Sequence, residues 1–289
     1  MIKHMEKQNI PILMYHSISS HASPKFRSCT VSPEVFEKHL SYLDRHHYTS
    51  MTVTQFVRAM VQGQAKLPPR SVILTFDDGY EDFYTRALPA LQRHGLVATL
   101  YVATMFIGGT SRWLQREGES MRPMLTWHQL AKINTSGIEC GAHSHTHPPL
   151  DMLAPSVARS EIVHSKELLE ERLSQHVLSF AYPFGYYTPR VRQIVQESGY
   201  TSACAIKLTT NSLLDDPYAL ARLAIKPDTD VHDLATALST DCGPLVASPV
   251  KRTRAHVRQC IRNVYGKLWG NRSTINKKAS KEVRSSYAN

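Results

Sequence analysis

Short apolar runs rich in Val, Ile, Tyr and Phe alternate along this chain with longer segments whose apolar residues recur at helical spacing. Ile12–Tyr15 reads as a first strand. Ser32-Pro33 supplies an N-cap and a proline at the first helical position, ahead of Phe36, Leu40 and Leu43. Thr54 is placed to cap a second helix that runs to about Val61. Val72–Phe76 is a second strand, followed by a helix carrying Tyr84, Leu88 and Leu91 that ends near Gly95. Ala98–Ala103, Ile138–Ala142, Val177–Tyr182 and Ala203–Ile206 read as further strands. Between and after them lie helices at Trp127–Ile133, Ser156–Gln175 and Arg190–Ser198, and a last one capped by Asp230 and reaching Leu238.

Strand and helix in alternation predict a parallel sheet covered by helices, because parallel strands need crossover connections. Six or more such units within about 230 residues predict a distorted or incomplete (β/α) barrel. An open doubly wound sheet is the competitor, weakened by the absence of a GxGxxG turn.

Composition narrows the classes further. The 289 residues are 42% hydrophobic and 20% charged, which supports a packed core and excludes disorder throughout. The longest apolar runs, Ile10–Tyr15 and Val97–Ala103, fall far short of the roughly 20 residues needed to cross a bilayer. We read no secretory signal in MIKHMEKQNIPILMYHSI. Five cysteines, widely spaced and without a CxxC pair, argue against a disulfide framework or a thiolate zinc site and for free thiols in a reducing compartment. The expected location is cytoplasmic, with peripheral contact at the inner face of the membrane.

The net charge of +10 suggests nucleic acid until it is located. Residues 251–289 hold 11 Lys and Arg against one acid, Glu282, which accounts for the whole excess. Within 252–269, Val257, Ile261, Val264 and Leu268 form one helical stripe beside Arg254, Arg258 and Arg262. That pattern offers a peripheral membrane contact or a packing helix, and no nucleic-acid motif accompanies it. The expected division is a catalytic domain over 1–245 and a basic amphipathic tail over 246–289.

Chemistry concentrates behind three strands. Val72–Phe76 runs into Asp77-Asp78-Gly79, Ile138–Ala142 into His143-Ser144-His145-Thr146-His147, and Val177–Tyr182 into Pro183-Phe184-Gly185. In a parallel barrel all strand C-termini share one rim, so these residues should meet. Of two adjacent carboxylates, one can ligate a metal while its neighbour stays free as a base; a structural turn is the plainer reading of Asp-Asp-Gly alone. His143 and His147, four apart, converge if the backbone curls as one helical turn, with His145 facing away. Two imidazoles and a carboxylate with open positions suit a hydrolytic divalent-metal site.

These stretches, LTFDDGY (Leu74–Tyr80), LTWHQL…GIECGAHSHTHPPL (Leu125–Leu150) and FAYPFGYY (Phe180–Tyr187), resemble the polysaccharide deacetylase family, also called the NodB-homology or carbohydrate esterase family 4 domain. The resemblance covers residues 10–240 in motif order. It implies a distorted (β/α) barrel and an N-deacetylase of N-acetylhexosamine units in a polysaccharide, oligosaccharide or glycolipid. It implies Asp77 as general base, and Asp78, His143 and His147 as ligands of a divalent metal: Zn2+ first, with Co2+, Ni2+ or Fe2+ as alternatives. It also implies the Phe184 amide as an oxyanion donor. Two features depart from the pattern. Ala181 stands where many members carry an arginine that pairs with the base, and Arg222 in ALARLAI is the substitute. The late leucine-x-histidine that supplies the general acid is missing. His16 resembles the first-strand histidine that takes this role in the poly-N-acetylglucosamine deacetylase subgroup; His232 reads as an ordinary helix-start residue. The departures keep open a catalytically weak barrel that binds glycan or recruits partners, and a hydrolase of an O-acetyl ester or another C–N bond.

Overall fold

The computed structural model describes residues 9–63, 67–206 and 210–239; the tail reading over 252–269 and the boundary at 245/246 lie outside these residues. Among the described residues ten strands form: β1 (Ile12–Tyr15), β2 (Ser17–Ile18), β3 (Thr30–Val31), β4 (Thr49–Met51), β5 (Ser71–Phe76), β6 (Thr99–Val102), β7 (Glu139–Ala142), β8 (Ser179–Ala181), β9 (Ser202–Cys204) and β10 (Leu223–Ala224). The main sheet runs β10-β1-β5-β6-β7-β8-β9, with β4 also paired to β5, and every pairing is parallel. One segment touches both ends of that order. Leu220 bridges Cys204 after β9, and three residues later Leu223 pairs with Leu13 of β1. The sheet therefore curls into a distorted barrel, as predicted, and not into an open doubly wound sheet.

The described residues also form the α-helices α1 (Pro33–Arg45), α2 (Val53–Val61), α3 (Leu88–Arg93), α4 (Trp127–Asn134), α5 (Pro155–Leu173), α6 (Pro189–Glu197) and α7 (Val231–Leu238). Their starts follow side-chain chemistry. Ser32 accepts from the Val35 amide and Asp230 from the Asp233 amide, as expected. The predicted cap at Thr54 is corrected to Thr52. Thr52 forms a reciprocal box with Gln55, satisfying two otherwise unpaired amides, while Thr54 turns its amide and hydroxyl to Glu139. Before α3, Phe83–Ala87 forms one wide π turn in which the Leu88 amide reaches back five residues to the Phe83 carbonyl.

Alternation along the strands divides the core. Val72, Leu74 and Phe76 of β5 face outward into one buried cluster with helix residues such as Leu40 and Leu91. Ile73, with Ile12, Tyr101, Ala181 and Cys204, fills the barrel interior over Phe56 and Val57 of α2. Strands buried on both faces read as continuous apolar runs, as β5 does. The parallel arrangement brings the C-terminal ends of β1, β5, β7 and β8 to one rim. Among the described residues no helix is long and apolar enough to cross a membrane.

Candidate metal centre and active site

The period of two along β5 sends Ile73, Thr75 and Asp77 toward the barrel interior. There Arg222, fully buried, grips both Asp77 oxygens: Nη1 donates to Oδ1 at 2.6 Å and Nη2 to Oδ2 at 2.8 Å. Arg222 also donates to Thr75 Oγ1 and the Ala205 carbonyl, each at 3.3 Å, and lies 5.5 Å over the Tyr101 ring. Burial is the largest single effect and would raise the Asp77 pKa, but the charge and hydrogen bonds of Arg222, together with His143 and His16, outweigh it and hold the carboxyl below its usual range.

Asp78 leaves the same strand in the left-handed region, φ 76°, which aspartate tolerates better than most residues. Gly79 follows at φ 85°, and a Cβ there would lie 2.8 Å from Val102 Cγ1, so both backbone angle and space call for glycine. This turn swings Asp78 to the rim. Its Oδ2 accepts from the Tyr80 hydroxyl at 2.7 Å. Its Oδ1 is buried and accepts no hydrogen bond, although His147 Nε2 lies 3.2 Å away and His143 Nε2 3.5 Å. Asp78, His143 and His147 offer ligand atoms that all lie within 4.8 Å of one another.

The histidines arrive by a route other than the expected helical turn. Ser144 (φ 62°) and His147 (φ 57°) are both left-handed, and the His147 amide donates to Ser144 Oγ at 3.1 Å, so the segment is a tight loop. Side-chain hydrogen bonding and long-range contacts set this shape, which spacing alone does not encode. His145 does face away, with Nδ1 2.9 Å from Thr104 Oγ1 and its ring against His164. His143 Nδ1 lies 2.8 Å from the Ala181 carbonyl, an acceptor, so Nδ1 carries the proton and Nε2 presents a lone pair to Asp78. Burial pushes the His143 pKa down to about 4, which keeps the ring neutral near pH 7. A neutral imidazole lone pair facing an unsatisfied carboxylate oxygen is repulsive by itself and is the donor set a divalent cation requires. The three residues therefore fit a metal.

The remaining predicted residues gather around this group. His16 follows β1 beside Asp77, whose amide donates to the Tyr15 carbonyl at 3.0 Å. It is half-buried, and its positive form would lower the pKa of both aspartates. Phe184 is left-handed (φ 61°) in the turn after β8, 47% exposed, with its ring 4.9 Å from that of His147. Trp113 flanks His147 at 5.5 Å. His232 is not brought to the site; it lines a groove with His39 at the start of α7. Tyr15, at the end of β1, is fully buried with its hydroxyl 3.1 Å from His39 Nδ1.

Sequence reasoning missed the residues that hold the centre. Tyr80 ties one Asp78 oxygen, and Arg122 lies 5.8 Å from the Tyr80 ring while bonding Ser17 and Asp82. The tyrosine was visible inside LTFDDGY, but only the fold shows which oxygen it takes. Arg122 carries little local signal, since beyond Glu119 its polar partners Ser17, His21 and Asp82 lie far off in sequence.

Comparison with known proteins agrees with this geometry. The polysaccharide deacetylase family model matches residues 64–203. YxkH of Bacillus subtilis (strain 168), which carries the polysaccharide deacetylase name, is 30% identical over 226 residues, covering 78% of this chain and 75% of its own. The poly-beta-1,6-N-acetyl-D-glucosamine N-deacetylase of Staphylococcus epidermidis is 23% identical over 236 residues, covering 78% of each chain. Among solved structures, the Streptococcus pyogenes deacetylase PplD in complex with acetate aligns with a TM-score of 0.70 and 27% identity, covering 81% of this chain and 100% of that one. Motif order, barrel and these likenesses lead to one assignment: the chain belongs to the polysaccharide deacetylase family.

Proposed function

We propose that this chain is a divalent-metal-dependent hydrolase that removes N-acetyl groups from N-acetylhexosamine units of a polysaccharide, oligosaccharide or glycolipid precursor. The observation that carries the reading is the buried, unsatisfied Asp78 Oδ1 facing two imidazoles, one residue from an aspartate whose charge is balanced separately. Asp78, His143 and His147 would hold the ion, and two imidazole nitrogens with one carboxylate oxygen suit Zn2+, with Co2+, Ni2+ or Fe2+ as substitutes. When bound, such an ion polarises the acetyl carbonyl and acidifies a water.

The chain's own groups supply the rest. Asp77, kept ionised by Arg222, takes the proton from the attacking water. The Phe184 amide donates to the oxygen that gains negative charge. His16 gives a proton to the departing amine, so acetate and a free amino sugar leave. The name of the Staphylococcus epidermidis relative supports β-1,6-linked N-acetylglucosamine as the first substrate to try. We place membrane contact, if a lipid-linked saccharide is used, on the basic stripe of 252–269.

Acetate release from β-1,6-linked N-acetylglucosamine oligomers should stop on chelation and return with Zn2+ or Co2+. Release unaffected by chelator refutes metal dependence. Release only from O-acetylated sugars assigns the site to ester hydrolysis instead.

A further inference from the structure

The loop from His143 to His147 places two non-glycine residues in the left-handed region, and such backbone persists only where the surroundings enforce it. Two outside groups do so. On one side the Thr104 and Met105 amides donate to the Ser144 and His145 carbonyls at 3.3 and 2.9 Å. On the other stands Glu161, in the second turn of α5. Its Oε2 accepts from the amides of His145 (3.0 Å) and Thr146 (2.7 Å), and its Oε1 from Thr146 Oγ1 (2.7 Å). One half-buried carboxylate thus collects three donors from two successive residues, both lying between the imidazoles that face Asp78. These bonds go to the loop and not to a ligand atom.

We propose that Glu161 is a positioning residue of the metal centre. By holding the His145 and Thr146 amides it sets the loop conformation that brings His147 Nε2 to Asp78 Oδ1, and so it sets metal affinity without touching the ion or the substrate. The inference rests on the metal reading above. A charged acceptor suits the task, because hydrogen bonds to an ionised group are shorter and stronger than those to a neutral amide. Thr146 contributes its hydroxyl to the same carboxylate and is the weaker half of the clamp.

The test is Co2+ titration of the full chain, followed by visible absorption, for wild type, Glu161→Gln, Glu161→Ala and Thr146→Val, with thermal melting of each. Wild type should bind one Co2+. Glu161→Ala should weaken binding by about 10–100-fold, the range seen when an outer partner of a metal ligand is removed. Glu161→Gln should fall between, because it keeps the shape and one acceptor, and Thr146→Val should lose less. At saturating Co2+, KM for the oligomer should stay constant and kcat should recover to within a few-fold. If Glu161→Ala fails to fold, Glu161→Gln and Thr146→Val carry the same comparison. A lowered melting temperature with unchanged cobalt affinity and spectrum would make Glu161 a brace of the fold and overturn the inference alone. Wild type that binds no divalent ion would overturn the metal reading as well.

Discussion

The two ends of β7 each meet a carboxylate, and the two are treated in opposite ways. At the N-terminal end, Glu139 accepts from the Thr54 amide, the Thr54 hydroxyl and the Thr99 hydroxyl, so both oxygens are engaged. At the C-terminal end, where His143 leaves the strand, Asp78 Oδ1 is buried and accepts nothing, while two imidazoles crowd it. A saturated carboxylate fastens α2 to the barrel floor. An unsaturated one, with two imidazoles facing it, fits a cation. The contrast separates a structural acid from a functional one without reference to which end of a barrel carries the chemistry.

The largest effect should come from the unsaturated end. Asp78→Asn removes the proposed anionic ligand and should take acetate release to background, with loss of zinc measured by metal analysis of the purified protein. Asp77→Asn should lower kcat by about 10²–10⁴-fold, the range for a general base, while zinc stays bound. Retained activity in that variant would reassign the base. Arg222→Met strands a buried aspartate and should cost about 3–5 kcal/mol in denaturant unfolding. With its largest compensating charge removed, the Asp77 pKa should also rise.

The saturated end should respond only in stability. Glu139→Ala leaves the Thr54 amide and Thr99 hydroxyl short of a partner and should cost about 1–3 kcal/mol, with zinc content and kcat unchanged. If zinc content falls instead, the two ends are coupled and the contrast fails. The smallest effect lies away from both. His39, buried between the Tyr15 hydroxyl and the Thr229 carbonyl, has a pKa lowered by that burial. Below about pH 6.5 the unfolded chain takes up a proton that the folded His39 resists, so this share of stability falls as pH drops. Unfolding curves between pH 7 and 5 should be flatter for His39→Gln than for wild type. An equal slope removes His39 from the account.

Much of this was legible before any coordinates. The strands buried on both faces, β5 above all, announce themselves as apolar runs, and the acidic and histidine clusters stand directly behind them. The short strands β4 and β10, TSM and LA, are too brief to show a period of two. The loop at 143–147 defeated a reading by helical spacing because Ser144 and His147 are left-handed and held by Thr104, Met105 and Glu161. Arg222 was legible as the substitute partner of Asp77, and the pairing of β10 with β1 puts its guanidinium on that carboxylate. In each missed case the deciding partner lay far off in sequence, where periodicity carries no information.

The most direct test is diffraction from crystals soaked in zinc, with data collected on both sides of the zinc absorption edge. The account predicts one strong anomalous peak about 2.0–2.2 Å from Asp78 Oδ1 and from Nε2 of both His143 and His147. A peak bound elsewhere, or none at these three atoms in crystals that still release acetate from substrate, would contradict it.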